Sequence, residues 1–390
     1  MKIIKAILLQ IYKDFFVLAG KVLPKNNKLI VFESFLGKQF SDNPRALYEY
    51  MIDQYGDEYD LVWSVDRRYV DVFEENNIKY LKRFSLKWLL TLNRAGLWIS
   101  NSRMPLWIPK PRKTKYLQTW HGTPLKRLAL DMDAVLMPGT DTESYKKNFT
   151  TESSKWDYLI SPNPYSTEIF RRAFNFNKTM LETGYPRNDI LVNSNNDEYI
   201  NKLKIDMGIR RDKKIILYAP TWRDNEYYQR GKYKFDIKLD LERMRESLSD
   251  DYVILLRMHY LIAENIDTSK YDGFVIDMSK YEDIRDLYLI SDILLTDYSS
   301  VFFDYAILNR PVLFFTYDLE SYRDNLRGFY FDFEKEAPGP LLYDTAEIIE
   351  QVHLIENGEF EFSERLAEFR KVYCSLEDGA ASKRVMNRVL

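Results

Sequence analysis

The stretch whose reading decides the fold is Tyr116-Leu117-Gln118-Thr119-Trp120-His121-Gly122-Thr123-Pro124. Tyr116-Leu117 reads as the end of a buried strand, and Gly122 and Pro124 forbid its continuation. Lys126-Arg127 follows, in what reads as the first turn of a helix. An imidazole is thus expected on a tight turn at the C-terminal edge of a strand, beside cations. In open α/β sheets ligands bind along that edge. The chain has three histidines, so the placement is informative. A lone turn histidine is more often structural, and the functional reading gains its weight from the second half of the chain.

Working outward, apolar runs alternate with helical patterns, which argues for parallel sheets covered on both faces. In the first half the expected strands are 28–34, 61–65, 78–81, 96–100, the His121 strand, 156–160 and 180–183. Asn43 is expected to cap a helix that has Pro44 at its first position. The polar run 191–201 marks the expected domain boundary. The alternation restarts with strands at 214–219, 252–256, 274–276, 292–296 and 311–315, and the C-terminal stretch from about Thr345 reads as helical. The resulting division is a helix at 1–23, a domain at 24–195 and a second at 196–390. No internal sequence repeat is visible.

Composition removes several function classes. A net charge of −3 gives no global basic field for nucleic acid. The single cysteine, Cys374, forms no intramolecular disulfide, in keeping with a reducing cytoplasm. No segment has the roughly 20 apolar residues that span a bilayer. Residues 1–23 place Ile4, Ile7, Leu8, Ile11, Phe15 and Leu18 on one helical stripe, with Lys2, Lys5, Lys13 and Lys21 off it. Such a helix packs on the protein's own core or lies in a membrane surface, and the reading favours the membrane. No signal-peptide cleavage pattern follows it.

Three strands of the second half end in polar clusters, Thr221/Arg223, Arg257/His259 and Asp297/Ser299/Ser300. In a parallel sheet these ends share one edge. Ser299, expected as an N-cap, would open a helix whose free N–H groups attract phosphate. Arg223 or Arg257 would grip it through two parallel hydrogen bonds. The cluster reads as a diphosphate cradle. His121 would serve as general base toward an acceptor hydroxyl, and the cradle would hold charge on the departing phosphate. Facing halves would form a central cleft. Whether a sugar or a phosphoryl group moves is left open by the residues alone. There is no Gly-rich phosphate loop and no nucleophile elbow. Asp131-Met132-Asp133 reads as a surface turn and not a metal site.

At this point the motifs resemble a known family, the CDP-glycerol glycerophosphotransferases of wall teichoic acid synthesis. The resemblance is carried by Gln118-Thr119-Trp120-His121-Gly122-Thr123-Pro124-Leu125-Lys126, Gly184-Tyr185-Pro186-Arg187-Asn188-Asp189, Tyr218-Ala219-Pro220-Thr221-Trp222-Arg223, Arg257-Met258-His259 and Thr296-Asp297-Tyr298-Ser299-Ser300. It implies a GT-B-like fold of two doubly wound domains and a peripheral enzyme on the cytoplasmic face of the membrane. The implied reaction transfers glycerol phosphate from CDP-glycerol to a hydroxyl of an undecaprenyl-diphosphate-linked disaccharide or glycerol-phosphate acceptor, releasing CMP. It implies His121 as the base, with His259 joined to the catalytic set. Thr221, Arg223, Arg257, Asp297, Ser299 and Ser300 fall on the donor side. Trp120, Gly122, Thr123, Lys126, Arg187, Asn188 and Asp189 are acceptor-side candidates. No protein-bound cofactor is expected, and any Mg²⁺ would act on the diphosphate in solution. The family's polymerases carry a long extra N-terminal domain, so the expectation is addition of one or a few units by the single-domain subgroup. Ribitol phosphate transfer and priming are the alternatives within the pathway. A GT-B glycosyltransferase and a nucleotide-binding scaffold are the alternatives outside it.

Overall fold

The structure, a computed structural model, describes residues 2–135, 140–221, 227–229, 232–233, 237–258, 268–322 and 328–390. It divides into two compact units. The first comprises Met1–His121, Glu143–Asp189 and Ala380–Leu390; the second comprises Gly122–Thr142 and Ile190–Gly379.

The first unit is built on strands β1 (Asn26–Glu33), β2 (Asp60–Val65), β3 (Tyr80–Lys82), β4 (Ala95–Ser100), β5 (Lys115–Gln118), β6 (Tyr158–Ser161) and β7 (Thr179–Glu182). Their order in the sheet is β3-β2-β1-β4-β5-β6-β7, with every neighbour parallel. The strands read as continuous apolar runs because helices cover both faces. The chain order reverses direction between β1 and β4, the crevice position at which doubly wound sheets bind ligands. Ile30, Phe32, Trp63, Ile99 and Leu117 fill one core together with Val385, Met386 and Val389 of the last helix, Ala381–Val389.

The second unit contains β8 (Lys214–Ala219), a hairpin of β9 (Tyr227–Gln229) and β10 (Lys232–Tyr233), then β11 (Tyr252–Leu256), β12 (Val275–Asp277), β13 (Ile293–Thr296), β14 (Val312–Phe315) and β15 (Leu341–Leu342). The main sheet runs β12-β11-β8-β13-β14-β15, again all parallel. Its reversal lies between β8 and β13. Two parallel-sheet units are what the alternation predicts, and they match the GT-B-like plan that the resemblance implies.

The differences from the sequence reading have identifiable causes. The division falls between Asp189 and Ile190, and 191–201 is largely helical, in Asp189–Asn193 and Asp197–Asp206. The segment 122–142 joins the second unit because Leu125 to Leu128 bonds to 328–330. Tyr330 N–H donates to the Leu125 carbonyl at 2.9 Å, and Leu128 N–H donates to the Tyr330 hydroxyl at 2.9 Å. This pairing takes the place of the helical turn expected at Lys126-Arg127, where the structure has an isolated bridge from Lys126 to Phe329. Helix Asp42–Tyr55 begins one residue before Asn43, with Ser41 at the cap position but making no side-chain capping bond. β15 has two residues, too short for a periodicity to register.

Helix Lys2–Val22 uses two faces. Phe16 and Ala19 are buried, with Phe16 set against Trp88 and Trp107 at ring distances of 6.5 and 6.0 Å. The stripe through Ile7, Leu8, Ile11, Phe15 and Leu18 is exposed, 58% at Ile11 and 55% at Leu18. No helix among the described residues is long and apolar enough to cross a membrane.

Candidate functional site

His121 follows β5, the strand next to β4 and so one strand removed from the reversal of the first sheet. The chain reaches it through Trp120, held at φ 54°, a left-handed conformation that a bulky side chain adopts only when its surroundings impose it. Those surroundings are polar clamps. Trp120 N–H donates to Gln118 Oε1 at 2.9 Å, and Asn43 Nδ2 donates to the Trp120 carbonyl at 3.2 Å. The Trp120 ring stacks on the imidazole at 4.5 Å, with Phe35 across its edge at 5.8 Å.

The imidazole Nδ1 lies 2.8 Å from the Asn101 carbonyl oxygen. A carbonyl only accepts, so Nδ1 carries the hydrogen and the neutral ring presents its lone pair at Nε2. Nε2 has no hydrogen-bond partner among the described residues, and the residue is exposed at the surface. Packing of protein around the ring lowers its pKa. Asp42 and the Asn101 carbonyl oppose that shift, while Arg187 and Arg103 add to it. The free imidazole is therefore weighted toward its neutral, proton-accepting form at pH 7.

A buried network sets this geometry. Asp42 pairs with Arg187 at 2.8 Å, both side chains 7% exposed. Asp42 also accepts from Asn101 Nδ2 at 2.7 Å, and Asn101 Oδ1 accepts the Phe35 N–H at 2.8 Å. Arg103 lies over the Phe149 ring at 4.6 Å. Asn43 is read from the sequence only as a helix cap, and Asp42, Asn101 and Arg103 are not singled out from it. Asn101 does follow a strand in the manner of the residues that were, and that was the available signal.

In the second unit Asp297 follows β13 at the reversal of the sheet, and its Oδ1 accepts the Thr221 N–H at 2.8 Å. Tyr298 is buried, donates to Asp318 Oδ1 at 3.0 Å and stacks on Tyr322 at 4.1 Å. Ser299 and Ser300 are half-buried. Ser300, not Ser299, occupies the cap position of helix Val301–Tyr305, and its side chain makes no capping bond. Gly122 comes close to this turn. A Cβ on it would lie 2.8 Å from Ser300 Oγ, so glycine permits the approach.

The remaining predicted residues are distributed as follows. Arg257 directs Nη1 at the carbonyls of Met278, Ser279 and Tyr281, at 2.8, 2.8 and 2.7 Å, so that one nitrogen holds the loop after β12. Its burial lowers the guanidinium pKa, opposed by Asp283, Tyr288 and Asp277. Lys126 lies over the Tyr322 ring at 5.1 Å. Thr123 and Asn188 are buried. Asp189 accepts from Ala381 N–H and Ser382 N–H, each at 2.8 Å, and so caps the last helix. Burial raises its pKa against those hydrogen bonds. Asp131 accepts from the Tyr330 hydroxyl and Asp133 pairs with Arg127, so the two carboxylates serve separate partners. Arg223 and His259 lie outside the described residues.

Comparison with known proteins is consistent along the chain. The family model described as CDP-Glycerol:Poly(glycerophosphate) glycerophosphotransferase matches residues 15–390. A teichoic acid poly(glycerol phosphate) polymerase of Bacillus spizizenii is 57% identical over 99% of this chain and 98% of its own length. A teichoic acid glycerol-phosphate transferase of Staphylococcus aureus is 51% identical over 95% of both. The chain spans about half the length of the polymerase of the same name from Bacillus subtilis, also 57% identical. A solved structure of the wall teichoic acid polymerase TagF, soaked with CDPG, superposes with a TM-score of 0.90 at 44% identity, covering 99% of this chain and 95% of that one.

Proposed function

The chain belongs to the CDP-glycerol:poly(glycerophosphate) glycerophosphotransferase family, and on that premise we propose that it transfers glycerol phosphate from CDP-glycerol to a hydroxyl of an undecaprenyl-diphosphate-linked acceptor. His121 Nε2 takes the proton of the acceptor hydroxyl. The freed oxygen attacks the phosphorus that bears glycerol, the bond to the bridging oxygen breaks, and CMP leaves with that electron pair. The imidazolium then returns its proton to solvent. Thr221, Asp297, Ser299 and Ser300 form the donor end. Arg257 contributes through the guanidinium nitrogens not directed at the 278–281 carbonyls, and Arg223 and His259 complete the donor side. Arg103 and the Asp42–Arg187 pair set the charge around the base. The observation that carries this reading is the fixed tautomer of His121, which leaves an exposed lone pair at the ligand-binding edge of the sheet.

Chain length does not separate single addition from polymerisation. A relative matched over 98% of its own length is named a polymerase, which removes the sequence-based reason for preferring one or a few units. The deciding experiment mixes the protein with CDP-glycerol and a short-chain primed lipid acceptor, following CMP and the lipid mass. Stoichiometric CMP with added glycerol phosphate supports the reading, and a ladder of masses identifies polymerisation. Turnover only with CDP-ribitol would move the donor, and a nucleoside diphosphate product would replace the mechanism.

The exposed stripe of helix Lys2–Val22 supports docking on the cytoplasmic face of the membrane, with the helix lying in its plane. Leu18→Asp should then release the protein from vesicles. Unchanged co-sedimentation would refute the docking.

A further inference from the structure

Beside the C-terminal end of that helix lies a cavity of about 480 Å³ within the first unit. Lys21, Lys25, Lys110, Arg112 and Lys113 line it, together with Asn93. Lys25 Nζ donates to the carbonyls of Asn93 and Ala95, at 2.7 and 3.3 Å, and to the Thr114 hydroxyl. Among the described residues no carboxylate is one of its hydrogen-bond or ion-pair partners. Burial, reinforced by the charge of Lys110, lowers its pKa to about 8, the mark of a cation short of compensation. Lys110 is paired with Asp157 at 2.9 Å. Lys21, Arg112 and Lys113 are exposed and carry no ion pair among the described residues.

Asn93 closes the inner wall. It is fully buried, and its Oδ1 lies against Gly20, where a Cβ would come within 2.6 Å, so glycine is what admits it. The remaining wall is apolar, with Phe16 and Val17, and on the same helix Leu18 and Val22 stand exposed, Val22 at 67%.

We propose that this cavity binds the glycerophosphate headgroup of an anionic phospholipid, phosphatidylglycerol, with its acyl chains running out beside Leu18 and Val22. The cations take the phosphodiester, and the small uncharged glycerol sits among them without adding a positive charge. Phosphatidylserine has the same net charge, but its ammonium would be set among lysines. The proposal rests on the membrane-docking reading, since the lipid must be within reach.

The test is vesicle co-sedimentation of the full chain. The vesicles are phosphatidylcholine alone, or phosphatidylcholine with roughly 30 mol % of phosphatidylglycerol or phosphatidylserine, matched in surface charge so that general electrostatic attraction is equal. Phosphatidylglycerol vesicles should bind about tenfold more tightly than phosphatidylserine vesicles. Lys25→Gln, which keeps donors for the two carbonyls, should reduce that ratio to within about twofold, and so should Arg112→Gln at the exposed rim. Reading the ratio separates headgroup recognition from general loss of charge. Equal binding to both anionic vesicles overturns the headgroup site and leaves membrane docking standing. No binding to any vesicle overturns both. Free glycerol phosphate that protects the cavity while the vesicles show no preference overturns the lipid source.

Discussion

His121→Ala is the perturbation that tests the catalytic reading most directly. General-base assistance is worth about 10²–10⁴ in rate, which is about 3–5 kcal/mol of transition-state stabilisation. The turnover of His121→Ala should fall by that factor. Donor affinity should change little, because Thr221, Asp297, Ser299 and Ser300 all belong to the other unit. The assay pairs CMP release in the presence of acceptor with calorimetric titration of CDP-glycerol. His121→Gln should be as inactive, since an amide cannot take the proton. The pH profile adds an independent check. The base must be neutral, so the rate falls as pH drops through its pKa. The protein packed around the ring lowers that pKa from the ordinary value of about 6.5, which places the acid limb of kcat/KM for the wild-type enzyme below that value. An affinity loss as large as the rate loss would refute the base assignment, and an acid limb above about pH 7 would refute the electrostatic account.

Three other perturbations separate the roles of neighbouring groups. Asp42→Asn leaves Arg187 buried without its counter-charge and should cost about 3–5 kcal/mol of stability in denaturant unfolding; it also removes the charge that raises the His121 pKa, so the acid limb should move to lower pH. Asp297→Ala removes the carboxylate that accepts the buried Thr221 N–H and should cost about 1–3 kcal/mol in the same measurement. Gly122→Ala would force Ser300 to move by a few tenths of an ångström or turn its hydroxyl away; titration with CDP-glycerol should show weaker binding, with the unfolding midpoint nearly unchanged.

The two sheets were legible because continuous apolar runs ending in polar residues leave a periodic record at every strand. His121 and Asp297 were legible for the same reason, each standing just past a strand. What supports them was not. Asp42, Asn43 and Arg187 meet only through the fold, across 145 residues in the case of Asp42 and Arg187, and local pattern holds no trace of such a pairing. Arg187, Asn188 and Asp189 enter as acceptor-side candidates through the family resemblance alone. The structure spends Asp189 on the last helix and directs Arg187 to Asp42. The division falls at the edge of the polar run 191–201, whose polarity belongs to a helix surface and not to a linker. The chain had already changed units at the peptide between His121 and Gly122, inside a motif that read as one element.

No sequence repeat links the two halves, yet they share a device. In the first unit the residue after β4, Asn101, accepts through Oδ1 the N–H of Phe35, the second residue beyond β1, at 2.8 Å. In the second unit the residue after β13, Asp297, accepts through Oδ1 the N–H of Thr221, the second residue beyond β8, also at 2.8 Å. Both pairs straddle the point where the sheet order reverses. There the two flanking chains diverge, and backbone N–H groups lose the ladder partners that a strand would give them. A short side-chain acceptor on the neighbouring strand end restores one bond and holds the crevice open at a set width. The chemistry of the acceptor then differs with its task. The amide of Asn101 also donates, to Asp42, and its backbone carbonyl fixes the tautomer of His121. A carboxylate lacks the donor and could not bridge to Asp42. In the second unit Asp297 Oδ1 accepts the Thr221 N–H through a carboxylate, which serves where the side chain is asked only to accept.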